Sequence, residues 1–351
     1  MVMVTRREFV KRLAGAALFG ALLGPKAAEG AVQEEVAKKV VKAPPLPWPY
    51  VELDPEETRK LGHLGYYAFE CSGGAFWAIA VQLREKVGYP WTLIPIPSKE
   101  EVLDAVNKGH HLTGFFQYGF GGVVGWGTIC GAPQGGIMIM SMVVKNKKDW
   151  EELGRLLLRF YETTPFPSKK INEYAVKGEL YPKKLKYSGW LPQSVSHSVL
   201  CHVSVSKWCM ASGFASGSKE RSERCGRLTG DVAAEAVTLL NAYFKGGLEK
   251  AKSLAKLKFS ATTAACRECH YKGKDFEMGQ FTRGFMQCET CHKDLRAHAH
   301  EFLTKGASGA ELMTVGLGAG GLGAFAGFLA GLASNGPSEG EGSEEEEKEE
   351  R

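Results

Sequence analysis

The chain has 351 residues, a formal charge of +5 and 44% hydrophobic residues, enough apolar content for a folded core and too much for a disordered chain. The charge is uneven: residues 338–351 hold eight Glu against Lys348 and Arg351, the first 24 residues are net basic, and the stretch between is more basic still. Such a surface suits an acidic redox partner protein or an anionic lipid; no zinc-finger or RNA-motif spacing points to nucleic acid, and no nucleophilic triad or carboxylate pair points to hydrolysis.

In chain order, Thr5-Arg6-Arg7-Glu8-Phe9-Val10-Lys11 matches the twin-arginine export pattern. The apolar run Leu13 to Gly24 has the length of a signal h-region and is short for a membrane span, and small residues around Ala27 to Ala31 can accept cleavage. Residues 1–30 therefore read as a twin-arginine signal peptide with a periplasmic or other extracytoplasmic destination; the alternative is a basic amphipathic helix. Residues 31–53 read as a Pro-rich linker, because Pro44, Pro45, Pro47 and Pro49 block helix. A mainly α body spans 54–250. Helices are expected over Glu56 to Phe69 and, from the spacing of Ala75, Ile79, Leu83 and Val87, up to Gly88. Ser98 and Glu101 predict a capping box for a helix ending at Gly109. Gly119 to Gly127 is a glycine-rich loop without the G-x-G-x-x-G spacing of a nucleotide site. Ile137 to Val144 is apolar, Trp150 to Tyr161 amphipathic, 164–200 loop-rich, and Asp231 to Phe244 a strong helix with Val232, Ala236, Leu239 and Leu240 on one face.

Residues 251–305 form a segment of little regular structure that carries the chemistry. Cys266-Arg267-Glu268-Cys269-His270 and Cys288-Glu289-Thr290-Cys291-His292 are two C-x-x-C-H motifs whose first cysteines lie 22 positions apart. Two thiols at this spacing form thioethers to the porphyrin vinyls, and the adjoining His presents its imidazole to the iron. Two haems c follow, attached at Cys266, Cys269, Cys288 and Cys291, with His270 and His292 as proximal ligands; paired C-x-x-C groups on one zinc are the competing reading. The short spacing predicts haems close together. Distal ligands are sought among His202, His298 and His300, with Met278 and Met286 less favoured, and His63, His110, His111 and His197 complete the spare histidines.

Nine cysteines leave five beyond the haem motifs: Cys71, Cys130, Cys201, Cys209 and Cys225. Twin-arginine export moves folded proteins, whereas haem c is attached after crossing, so the route itself hints at a second cofactor loaded beforehand. Buried structural thiols or one disulfide are the alternative. Leu312 to Ala333 is uncharged and long enough to span a bilayer, yet glycine-heavy, so 312–333 is either a membrane anchor or a flexible extension leading to the acidic tail 334–351.

The runs Cys71-Ser72-Gly73-Gly74, Gly121 to Ala132, Cys201-His202 to Trp208-Cys209, Glu223-Arg224-Cys225 to Asp231 and both haem motifs resemble the split-Soret cytochrome c family over residues 60–295. They also resemble, more loosely, the redox family named for a C…GCAxxG…C…C pattern; here Gly131 follows Cys130 rather than preceding it. The resemblance implies a homodimer with two stacked, bis-histidine haems per subunit, a ligand exchanged between subunits, and an iron–sulfur cluster, taken as [2Fe-2S], in the body. On that resemblance His202 becomes the best distal candidate, and Cys71, Cys130 and Cys225 become cluster ligands. Cys201 and Cys209 both fit the remaining element, Cys209 being preferred. The reading is an exported dihaem electron carrier; the alternatives are an oxidoreductase acting on a small molecule at a haem or the cluster, and a thiol or cluster redox sensor.

Overall fold

The computed structural model describes residues 42–255 and 257–292. Contacts divide the chain into units 1–45 and 46–351; of the first, only 42–45 are described, without regular structure. The signal segment 1–30, His298, His300, 312–333 and the tail 334–351 lie outside the described residues.

Among the described residues there are eight α-helices and no strand, so the protein is mainly α as the sequence implies. Asp54 caps the Glu56 amide at 2.9 Å and Pro55 fills the first helical position, which launches α1 (Pro55–Val87). The two helices expected here are one, bent at Glu70, whose φ of 59° and ψ of −168° no regular helix allows. The capping box precedes α2 (Lys99–Asn107), with Ser98 and Glu101 bonded reciprocally. Then come α3 (Gly131–Val143), α4 (Lys147–Thr163), α5 (Lys169–Lys177), α6 (Cys201–Ser212), α7 (Lys219–Leu254) and α8 (Ala261–His270). Three features differ from the sequence reading. Helix α5 interrupts a stretch expected to be loop. The strong helix begins twelve residues before Asp231, at Lys219, and runs past the expected boundary at 250 to Leu254, breaking at Gly246 and Gly247. The first haem motif rides on a helix, α8, rather than on irregular chain.

The core forms where α1 lies along α7, with α3 against both and α4 against α3 and α7. Phe76, Trp77, Ile79 and Leu83 of α1 meet Val232, Ala236, Leu239 and Leu240 of α7, all buried. The α1–α7 crossing is close because two glycines face each other: a Cβ on Gly62 would sit 2.9 Å from Gly230 Cα, and one on Gly230 would sit 2.4 Å from the Arg59 carbonyl oxygen. From residue 46 to 53 the Pro-rich chain is packed on this body. The Trp48 amide donates to the Met142 carbonyl at 2.8 Å, Tyr50 donates to Asn241 at 2.7 Å and Leu53 is buried. Prolines deny this stretch a helix, but the aromatic residues between them anchor it.

The haem-motif segment docks on α4. Arg159 donates to the Phe285 carbonyl at 2.8 Å, Phe259 stacks on Phe285, and Arg155 and Arg267 lie over the Phe285 ring. No helix among the described residues is long and apolar enough to cross a membrane.

Candidate metal centres

Two groups of candidate ligands emerge. In the first, the two C-x-x-C-H motifs lie side by side. On α8, Cys266 and Cys269 are one turn apart and His270 follows on the same helix. Cys288 starts a single 3-10 turn, Cys288–Thr290, that abuts α8. The Cys288 amide donates to Thr263 Oγ1 at 2.7 Å, and Thr263 Oγ1 donates to Glu289 at 2.6 Å. The Ser260 amide donates to Gln287 at 3.2 Å, and the Cys266 and Cys288 thiols are neighbours. The two C-x-x-C-H motifs are therefore adjacent, as their short spacing implies. His270 Nδ1 faces the Gly279 carbonyl at 3.4 Å, which turns Nε2 outward, the orientation a proximal ligand requires. Cys291 and His292 are exposed.

Of the spare histidines, His197 lies against the second motif. Its carbonyl accepts from Thr290 Oγ1 at 2.6 Å, and its φ of 50° is left-handed. Burial and the Lys207 charge push its pKa down, favouring the neutral, ligating imidazole. Sequence reasoning gave His197 no role, since nothing in its neighbours marks it. His202 is exposed on the first turn of α6, its Cβ 3.2 Å from where a Gly127 Cβ would sit. His63 is wholly buried and faces Glu223 at 3.0 Å; burial is outweighed there by His63, Arg227 and Tyr67, which hold Glu223 at about 2. It belongs to the core. His110 and His111 are exposed.

The second group is the spare thiols. Residues 128–130 and 199–202 run antiparallel for a few residues: Cys130 donates its amide to Val199, and Cys201 donates its amide to Thr128 at 2.7 Å. This pairing sets Cys130 beside Cys201. Cys130 is the N-cap of α3, Cys201 the first residue of α6, and Cys71 the first residue after the bend in α1. All three thus sit where a helical segment begins. Cys71 is a hydrogen-bonding neighbour of Cys130, and Cys225, on α7, interacts with Cys71 and Cys201. A Cβ on Gly131 would lie 2.6 Å from Cys71 Sγ, so only glycine lets α3 begin this close to the thiol. Cys209 interacts with Cys225 but not with Cys71 or Cys130.

The electrostatics single out Cys130. Hydrogen bonding from Cys71, aided by Tyr161, the Ala132 amide and the Arg224 charge, outweighs burial and brings the Cys130 pKa down to about 6. The paired Cys71 thiol is pushed up in consequence, and burial pushes Cys201 up to about 12. Among the described residues no three His, Cys, Asp or Glu side chains converge tightly enough to hold one metal ion. One buried polar atom beside the thiols, Arg224 Nε, lacks a hydrogen-bond partner, which is what a site that holds a further group leaves behind. Four thiols drawn together from four elements, with an unpartnered guanidinium nitrogen beside them, are a donor set that suits a thiolate-ligated iron–sulfur cluster.

A family model for redox-active proteins designated C_GCAxxG_C_C matches residues 101–239, which include Cys130, Cys201, Cys209 and Cys225. The split-Soret cytochrome c of Desulfovibrio desulfuricans is 33% identical over 309 residues, covering 86% of this chain and 98% of that protein. A solved structure of the split-Soret cytochrome c from Desulfovibrio desulfuricans, described as holding a novel iron centre, superposes with a TM-score of 0.56 at 33% identity, covering 73% of this chain and 94% of the other. That likeness supports a redox role. The chain belongs to the split-Soret cytochrome c family.

Proposed function

We propose that the protein is an exported electron carrier that binds two haems c and a [2Fe-2S] cluster and works as a homodimer with redox partner proteins. The observation that carries this reading is the placement of the two C-x-x-C-H motifs side by side on a body that also gathers four thiols from four elements. When bound, haem iron and cluster iron each store and release single electrons. Cys266, Cys269, Cys288 and Cys291 supply the thioether sulfurs. His270 and His292 are the proximal ligands, His270 being oriented through the Gly279 carbonyl. Cys71, Cys130, Cys225 and Cys201 hold the cluster; Cys201 displaces Cys209 as the preferred fourth ligand because it adjoins Cys130. In this reading His202, which is exposed, serves a partner subunit's haem and His197 serves the second motif within its own chain, with His298 and His300 as further candidates. Paired histidines on each iron leave no substrate position, which favours electron transfer over small-molecule chemistry and over redox sensing. Membrane association through 312–333 is an added feature of the proposal.

The test is compositional. Expressed with haem-maturation machinery and purified without oxygen, the chain should show two haem additions by mass spectrometry that resist acid–acetone extraction. Non-haem iron and acid-labile sulfide should be present at two each per chain. Cys71→Ser should abolish the sulfide and leave both haems. An unmodified mass, or haem iron alone in the wild type, would overturn the corresponding half of the assignment.

A further inference from the structure

Arg224 is 2% exposed, one of the largest fully buried side chains in the protein. Guanidinium does not lose its proton in a protein, so burying it demands an anion nearby. Three residues on, Arg227 shows the usual solution, a pair with Glu223 at 2.9 Å. Arg224 has no such partner. One of its nitrogens donates to Ser204 Oγ at 2.9 Å, Nε has no hydrogen bond, and no carboxylate of the described residues pairs with it. The groups that feel its charge are Tyr161 and the thiols Cys130, Cys201 and Cys209. Tyr161 is also fully buried, and its hydroxyl, which makes no close hydrogen bond, has Cys130 and Ser204 as its polar neighbours and acts on the Cys130 thiol. A cation short of an anionic acceptor and an O–H donor facing Cys130, both sealed from water, meet at the thiol group.

We infer that Arg224 is the fixed counter-cation of the cluster and that Tyr161 completes its hydrogen bonding at Cys130, together raising the potential at which the cluster accepts an electron. The inference rests on the cluster assignment above. Thiolates and bridging sulfides leave the bound cluster anionic, and one-electron reduction adds a further negative charge without a proton. A guanidinium in a region without water stabilises the reduced form more than the oxidised one. The cation also favours retention of the cluster, because an empty site would leave the charge unneutralised. Ser204 acts as a positioning residue, holding the guanidinium fork in place through its hydroxyl.

The experiment is a potentiometric titration of the full-length holoprotein under anaerobic conditions, following the cluster by electron paramagnetic resonance. The haem midpoints in the same sample serve as the internal reference. Arg224→Gln should shift the cluster's one-electron equilibrium against reduction by about tenfold, which is about 59 mV, with haem midpoints unmoved. Arg224→Lys, which keeps the charge, should restore most of that shift. Tyr161→Phe should shift it in the same direction by about threefold, less than a whole hydrogen bond to a charged acceptor, because only the part that strengthens on reduction is lost. Partial loss of sulfide in the Gln variant but not in the Lys variant supports the same conclusion. A cluster present in full in Arg224→Gln with an unmoved midpoint overturns it. Should the Gln variant fail to fold, as its haem spectrum and circular dichroism would show, an unmoved midpoint in Tyr161→Phe overturns it instead. A wild-type protein without acid-labile sulfide sinks the cluster assignment itself, a result distinct from any seen only in the variants.

Discussion

Glu162 occupies a place where burial and charge pull against each other. Its carboxylate is 2% exposed and pairs with Arg159, yet burial and the nearby Glu289 charge outweigh that pairing and raise its pKa to about 7. An acid whose folded pKa lies above its unfolded value of about 4.5 binds its proton more tightly when folded. Its contribution is therefore full below about pH 4.5 and is lost as pH rises through 7. The expected loss between pH 4.5 and 8 is about 3 kcal/mol for this group alone. Denaturant melts of the wild type and of Glu162→Gln at pH 5 and pH 8 check it: Gln resembles the protonated acid, so the variant lies close to the wild type at pH 5 and its stability falls less between pH 5 and pH 8. An unchanged slope would refute the assignment. At this scale residue type alone singles out the haem-motif cysteines and the spare thiols in the sequence, and the fold gathers Cys71, Cys130, Cys201 and Cys225. The sequence is silent where a partner is missing. Arg224 reads as an ordinary helix residue, and only the folded arrangement leaves its Nε without an acceptor.

At the scale of elements, the α1–α7 crossing is the most exacting contact. Gly230 has the Arg59 carbonyl and the Ile171 side chain within 2.8 Å of its absent Cβ. Gly230→Ala should cost about 1–3 kcal/mol by overpacking despite the better helix propensity of alanine, and equilibrium denaturation of the haem-loaded protein measures it. A neutral or stabilising result would mean that the helices separate more readily than their packing suggests. Strong periodicity made α7 and the capping box of α2 visible in advance. Helix α5 was hidden by the scattered Pro and Lys around it, although Ser168 and Gly178 cap it at either end. Helix α6 was hidden because Cys201–Ser212 buries few residues, chiefly Ser204 and Trp208, and so shows little periodicity. The bend in α1 was foreseen as a break, but not that a non-glycine residue, Glu70, would hold a left-handed conformation beside Cys71. Such backbone costs about 1–3 kcal/mol and marks a place where function outranks helix regularity.

For the molecule as a whole, the bond between the haem-motif segment and the body is aromatic and cationic. Phe285 lies under Arg155 and Arg267 and stacks on Phe259. Phe285→Ala should loosen the segment by about 1.4 kcal/mol or more, and so speed limited proteolysis between residues 252 and 262 about tenfold. Helical circular dichroism of the body should hold steady; equal cleavage rates would show that the docking resides elsewhere, in Arg159 or Thr290. The thiol group has a different dependence on the whole. Its members come from the bend of α1, the start of α3, the start of α6 and the second turn of α7, spread from position 71 to position 225. No fragment shorter than residues 71–225 contains the site. On the proposed cluster assignment, a nascent or misfolded chain cannot capture the cluster there, and fraying of any one of the four helices releases it. The colour of the bound cluster would then act as a checkpoint, separating chains that have finished folding from those that have not.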